Sequence, residues 1–199
     1  MSFTGFIAHL RAILAGVALG FVAASAVGAE APRVKFTTTA GDFVIEVYPD
    51  KAPKTVENFL QYVKDKHYDG TVFHRVIDNF MIQGGGFDTK LVQKPTRAPV
   101  AHEGREALAK GGPKNVVGTV AMARTNDPNS ASAQFFINVK DNAFLDPSVS
   151  APGYTVFGKV VSGMDTIQTM KTTPTGSGGP FRTDVPKTPI LINSATLVK

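Results

Sequence analysis

From residue 30 onward, apolar positions recur at two periods, two residues and three to four residues. Val34 to Thr39 and Asp42 to Tyr48 are rich in β-branched and aromatic residues, with Ala40-Gly41 between them. This pattern predicts a β-hairpin. Pro53 suits the first turn of a helix, and Val56, Phe59, Leu60 and Val63 then fall at i, i+3, i+4 and i+7. That spacing predicts an amphipathic helix. Strand character returns from Thr71 to Ile77 after the turn Asp69-Gly70. Asp78-Asn79 then leads into Phe80-Met81-Ile82-Gln83, which ends in Gly84-Gly85-Gly86.

The stretch from Asp88 to Lys114, rich in Pro, Gly and charge, reads as loop with one short helical turn. Further strands are predicted at Gly118–Ala123, Gln134–Val139 and Tyr154–Val161. A short helix follows from Met164 to Lys171, then a Gly- and Pro-rich loop, and Pro189 to Val198 closes the chain as a strand. Many short strands with only two convincing helices predict an all-β barrel or sandwich. No repeat or linker divides residues 30–199, so one domain is expected there.

The first 29 residues break the pattern. Arg11 is their one strong charge, and an apolar run from Ala12 to Ala24 passes into Ser25-Ala26-Val27-Gly28-Ala29. A basic start, a short apolar middle and a small-residue end describe a secretory signal peptide. Cleavage is expected after Val27-Gly28-Ala29, with Ala24-Ser25-Ala26 as second choice. The alternative is an uncleaved membrane anchor, since no charge lies between Arg11 and Glu30. The run is shorter than the roughly 20 residues that span a bilayer.

Composition narrows the chemistry. Of 199 residues none is Cys, so thiol catalysis, disulfides and Cys-based metal sites are excluded. The formal charge of +5 becomes +4 without residues 1–29. Its basic residues are scattered, which makes a solvated surface and no nucleic-acid footprint. His67, His74 and His102 stand apart without metal-ligand spacing, and no Gly-x-Ser-x-Gly elbow is present. Gly84-Gly85-Gly86 lacks the Gly-Lys-Ser/Thr ending of a phosphate loop. No metal or cofactor is expected.

Two segments remain odd. In a regular strand Phe73, Arg75 and Ile77 would share one face, and a cation there either lies over the surface on apolar neighbours or meets a ligand. His74 would face the other way, as a structural histidine. Gln83 places an amide within an apolar strand, where its polar atoms need partners.

Phe73-His74-Arg75-Val76-Ile77, a gap to Phe80, and Met81-Ile82-Gln83-Gly84-Gly85 together resemble the cyclophilin signature. So do Gly118–Ala123, Ser132–Ile137, Phe144-Leu145-Asp146 and Val156–Val160, in the family's order and with similar spacing. The resemblance covers about residues 33–198 and is nearest to the exported bacterial branch. It implies a closed eight-stranded antiparallel barrel capped by a helix at each end. It also implies peptidyl-prolyl cis/trans isomerase activity on unfolded or partly folded proline-containing chains, in the periplasm, by a monomer.

By the same resemblance Arg75, Phe80 and Gln83 are the catalytic residues. Met81, Met122, Ala123, Arg124, Gln134, Phe136, Phe144, Leu145 and Tyr154 would bind substrate. Three positions depart from many members: Arg124 replaces a common Asn, Tyr154 a His, and Phe144 the Trp of cyclosporin-sensitive forms. The last change removes an indole N–H donor, which implies weak cyclosporin binding. A groove that only holds proline-rich chains, as a chaperone would, is the rival reading; Arg75 and Gln83 argue for turnover.

Overall fold

Alternation from Arg33 onward builds the first two strands. In β1 (Arg33–Thr38) and β2 (Gly41–Val47), Val34, Phe36, Phe43, Ile45 and Val47 point inward and are buried. The structure, a computed structural model, describes Met1 and residues 30–198. The expected signal peptide, 1–29, therefore lies outside the described residues apart from Met1.

Six further strands complete the wall: β3 (Thr71–Ile77), β4 (Met81–Asp88), β5 (Thr119–Met122), β6 (Phe135–Asn138), β7 (Val156–Ser162) and β10 (Ile190–Val198). They close into one barrel in the order β1-β10-β3-β4-β6-β5-β7-β2, and every paired neighbour is antiparallel. Closure leaves the barrel sheet itself without an open edge.

The interior is aromatic. Phe36 stacks on Phe43 at 5.1 Å, and Phe59 lies 5.0 Å from Phe157. Phe135 meets the ring of Tyr68 edge-on at 5.5 Å. Such rings each bury about 150–250 Å², so this cluster supplies much of the stability of a domain without disulfides. Helix α1 (Pro53–Lys64) packs Val56, Phe59 and Val63 into it, and α3 (Met164–Lys171) adds Ile167 and Met170. These are the two helices expected as caps.

Pro53 opens α1, but no side chain of its own segment caps it. The cap comes from 48 residues away: the buried Glu103 carboxylate accepts from Thr55 N–H at 2.7 Å and Thr55 Oγ1 at 2.7 Å, and from Lys54 N–H at 3.1 Å. A negative charge there also suits the positive end of the helix dipole.

Two elements lie where loop was expected. The helical turn within 88–114 is α2 (Gly104–Ala109). The Gly- and Pro-rich segment after α3 instead forms a separate hairpin, β8 (Thr175–Gly178) with β9 (Phe181–Pro186). Its pairing is irregular between Gly176 and Gly178, which hid its alternation. This hairpin lies against β3.

Candidate active site

The face of β3 is set by a bulge. Phe73 pairs with Gly84 and Arg75 with Gln83, so His74 is the unmatched residue between them. An extra residue reverses the side-chain alternation. Phe73 and Val76 therefore enter the barrel core, while Arg75 and Ile77 emerge on the outside. Phe73, Arg75 and Ile77 do not share one face, contrary to the expectation for a regular strand.

The glycines of β4 make the matching half of this irregularity. Between the pairs Val72↔Phe87 and Phe73↔Gly84 the register shifts again, at Gly85 and Gly86. Gly85 has φ 85°, and a Cβ at Gly84 would come within 2.8 Å of the Phe73 ring. Glycine is required at both positions, one for its backbone angle and the other for the close approach.

On the outer face lies a groove of about 350 Å³. Its apolar end is formed by Phe80, Met81, Phe136 and Leu145, and Tyr154 meets the Phe136 ring edge-on at 5.4 Å. Arg75, Gln83, Gln134, Ala123 and Arg124 line the rest. Arg75 is less than half exposed, at 42% of its side chain. Gln83 Nε2 donates to Gln134 Oε1 at 2.9 Å, so Gln83 is tied to Gln134 and not to Arg75. Arg124 lies 4.5 Å above the Tyr154 ring, an arrangement that favours a cation. Its Nε and Nη2 donate to Gly153 O at 3.1 and 2.8 Å, and its Nη1 to Thr125 O at 2.8 Å.

A buried amide network fixes the apolar end. Asn142 Nδ2 donates to Phe80 O at 2.9 Å and to Asn138 Oδ1 at 2.7 Å. Asn138 Nδ2 donates to Asn115 Oδ1 at 3.2 Å and Thr119 Oγ1 at 3.0 Å, while Asn115 Nδ2 reaches Leu145 O at 3.2 Å. The network thus joins the Phe80 and Leu145 walls through side chains that are all buried. Satisfied in this way, buried amides give rigidity that an apolar filling would not.

Two residues expected to bind substrate are placed differently. Met122 alternates inward with Val120 and belongs to the barrel core; its neighbour Ala121 packs beneath the groove instead. Phe144 stands at the rim, 74% exposed, with its ring stacked on Phe80 at 5.7 Å.

Three aromatic residues without a prior assignment to the site line its other end: His74, Phe87 and Phe181. His74 is only 3% exposed, lying 4.6 Å from the Phe87 ring and 5.3 Å from that of Phe181. Its Nδ1 has no hydrogen-bond partner among the described residues. Burial, and next the charge of Arg75, lowers its pKa to about 4. It is therefore neutral at pH 7. Phe181 comes from the unexpected β8–β9 hairpin, which is why its role was not visible in the sequence.

Among the described residues, the groove lining contains no Asp, Glu, Ser, Thr or Cys. Its chemistry is the Arg75 guanidinium beside an apolar slot, suited to stabilising a neutral group that becomes a better hydrogen-bond acceptor.

Comparison with known proteins agrees with this geometry. The family described as "Cyclophilin type peptidyl-prolyl cis-trans isomerase/CLD" matches residues 33–197. A peptidyl-prolyl cis-trans isomerase of Streptomyces antibioticus is 53% identical over 168 residues, covering 83% of this chain and 98% of that protein. Peptidyl-prolyl cis-trans isomerase B of Escherichia coli K12 is 50% identical over 167 residues, 82% and 98% of the two chains. A Cryptosporidium parvum cyclophilin type isomerase, solved in the presence of the dipeptide Ala-Pro, has a TM-score of 0.67 at 25% identity. That match covers 84% of this chain and 99% of the other. The chain belongs to the cyclophilin-type peptidyl-prolyl cis-trans isomerases, and rotation about the X–Pro bond is the reaction it catalyses.

Proposed function

We propose that the groove carries out this rotation on unfolded or partly folded chains with Arg75 as the hydrogen-bond donor to the prolyl nitrogen. The observation that supports this reading is the guanidinium of Arg75 on the wall of the groove beside its apolar end, whereas the groove's other guanidinium, Arg124, has all three nitrogens bonded to Gly153 O and Thr125 O. Peptide-bond rotation faces a barrier of roughly 18–20 kcal/mol because resonance holds the amide planar. As the amide twists, the nitrogen lone pair localises and accepts a hydrogen bond. Arginine remains charged and offers rigid donors.

One charge-assisted bond contributes about 1.5–3 kcal/mol, whereas a five-decade acceleration needs about 7 kcal/mol. The remainder comes from holding the twisted amide better than either planar form. Phe80, Met81, Phe136 and Leu145 hold the proline ring, and Gln83 with Gln134 steadies the substrate carbonyl while the other side rotates. Arg124, Ala123 and Tyr154 flank the chain, and Phe144 covers the rim. No covalent, acid–base or cofactor step enters.

The site of action is the periplasm, reached through residues 1–29 as a cleaved signal peptide, and the working form is a monomer free of membrane and nucleic acid. The basic start, apolar middle and small-residue end of that segment support export, and the scattered basic residues support the lack of a nucleic-acid partner. A chaperone role of the same groove would be separable from turnover.

A proline-limited peptide assay on Arg75→Ala tests the mechanism. Activity should fall by about ten- to a hundredfold with unchanged circular dichroism, and full activity would remove Arg75 from the reaction. Aggregation suppression that survives in this variant would mark the chaperone role. Amino-terminal sequencing of the exported protein should begin at Glu30, whereas a retained Met1 would favour the anchor.

A further inference from the structure

A carboxylate from outside the barrel approaches the groove's cation. Asp184 lies in β9, with Oδ2 4.0 Å from Arg75 Nε. Three features hold it there. Phe181, earlier in the same strand, packs on His74 and Phe87 and anchors the hairpin beside β3. Asp184 itself has φ 69°, in the left-handed region that Asp and Asn tolerate better than most side chains. Thr183 Oγ1 donates to Asp184 Oδ2 at 3.0 Å, fixing the carboxylate's rotation.

The contact is too long for a hydrogen bond and acts through charge. It meets Arg75 at Nε, the guanidinium nitrogen nearest the stem, which leaves the terminal nitrogens for the groove. Gln83 donates to Gln134, and no hydrogen bond joins the Gln83 and Arg75 side chains among the described residues.

We propose that Asp184 is a positioning residue for Arg75, holding the guanidinium by its Nε edge so that its terminal N–H groups are presented to the substrate amide. The proposal rests on Arg75 being the donor. The hairpin, lying outside the barrel ladder, is thereby a working part of the active site.

Asp184→Asn removes the charge and keeps a side chain suited to the left-handed backbone. Asp184 is one-third exposed and pairs with no barrel strand, so this variant retains the fold. In a proline-limited peptide assay, kcat should fall about two- to fivefold, the range for a partly exposed ion pair, with KM within about twofold. The ¹⁵N signal of Arg75 Nε should shift and its N–H exchange faster with water. In an Arg75→Ala background, Asp184→Asn should cause no further loss. An unchanged kcat with an unmoved Nε signal would overturn the proposal, as would an equal loss in the Arg75→Ala background. If Arg75→Ala is inactive and Asp184→Asn behaves as wild type, only the positioning role fails. If Arg75→Ala is fully active, the donor reading fails and takes this role with it.

Discussion

Gln83 donates its amide hydrogen to Gln134 Oε1 across 2.9 Å, joining β4 to the residue that precedes β6. The two amides act as a pair that fixes the groove floor next to Arg75. Gln83→Leu should break this pair and lower kcat/KM about three- to tenfold, the scale of one lost hydrogen bond. The loss should be smaller than that of Arg75→Ala. A Gln83→Leu variant as inactive as Arg75→Ala would mean that Gln83 itself bears on the reacting amide.

Asn142 holds Phe80 O and Asn138 Oδ1 together beneath the apolar slot. Asn142→Ala leaves the buried Asn138 Oδ1 without a donor, while Phe80 O keeps that of Val139 N–H, and this costs about 1–3 kcal/mol of stability. Chemical denaturation should show the loss as a lower midpoint. Because the Phe80 wall loosens, KM for a prolyl peptide should also rise. An unchanged midpoint would show that water replaces the amide without loss.

His74 makes stability depend on pH in a defined direction. Its pKa is lowered from 6.5 in the unfolded chain to about 4 in the fold, by burial first and Arg75 second. The fold therefore favours the neutral ring. The stability tied to it is fully present above about pH 6.5 and is lost as pH falls toward 4, by roughly 3 kcal/mol in all. His67 and His102 are lowered by burial as well and act in the same direction. Replacing the ring by a group that cannot titrate, His74→Phe, should flatten the decline in unfolding free energy between pH 6.5 and 4. An identical pH profile would count against a buried neutral His74.

Phe144 presents an exposed ring with no N–H, stacked on Phe80. Cyclosporin binding is expected to be weak, and Phe144→Trp should tighten it by restoring an indole donor at the rim. Inhibition titrations of both forms decide this. A nanomolar inhibition constant for the native protein would show that the stacked pair suffices.

Much of the barrel was legible because its signals are local. Thr71–Ile77 and Met164–Lys171 have the bounds that their periodicity predicts, and Val56, Phe59 and Val63 are buried as their spacing requires. The motif residues Arg75, Phe80, Met81, Gln83, Gln134, Phe136, Leu145 and Tyr154 do meet in one groove. What escaped depends on register or distance. A bulge at His74 reversed the faces of β3, and strict alternation sent Met122 inward. Glu103 caps a helix far earlier in the chain, and Phe181 reaches the groove from a hairpin whose irregular pairing masks its strand pattern. Apart from the alternation at Met122, none of these leaves a mark within a short window of sequence.

The order of strands around the barrel has a consequence for synthesis. β1, the first strand to be made, lies between β2 and β10, and β10 also flanks β3. The wall that carries Arg75 therefore lacks a neighbour until Ile190–Val198 has emerged. A chain appearing from its amino end stays open, with apolar strands unpaired, for nearly its whole length. It gains a closed core, and with it a catalyst for other chains, only when its final strand inserts between its first and third.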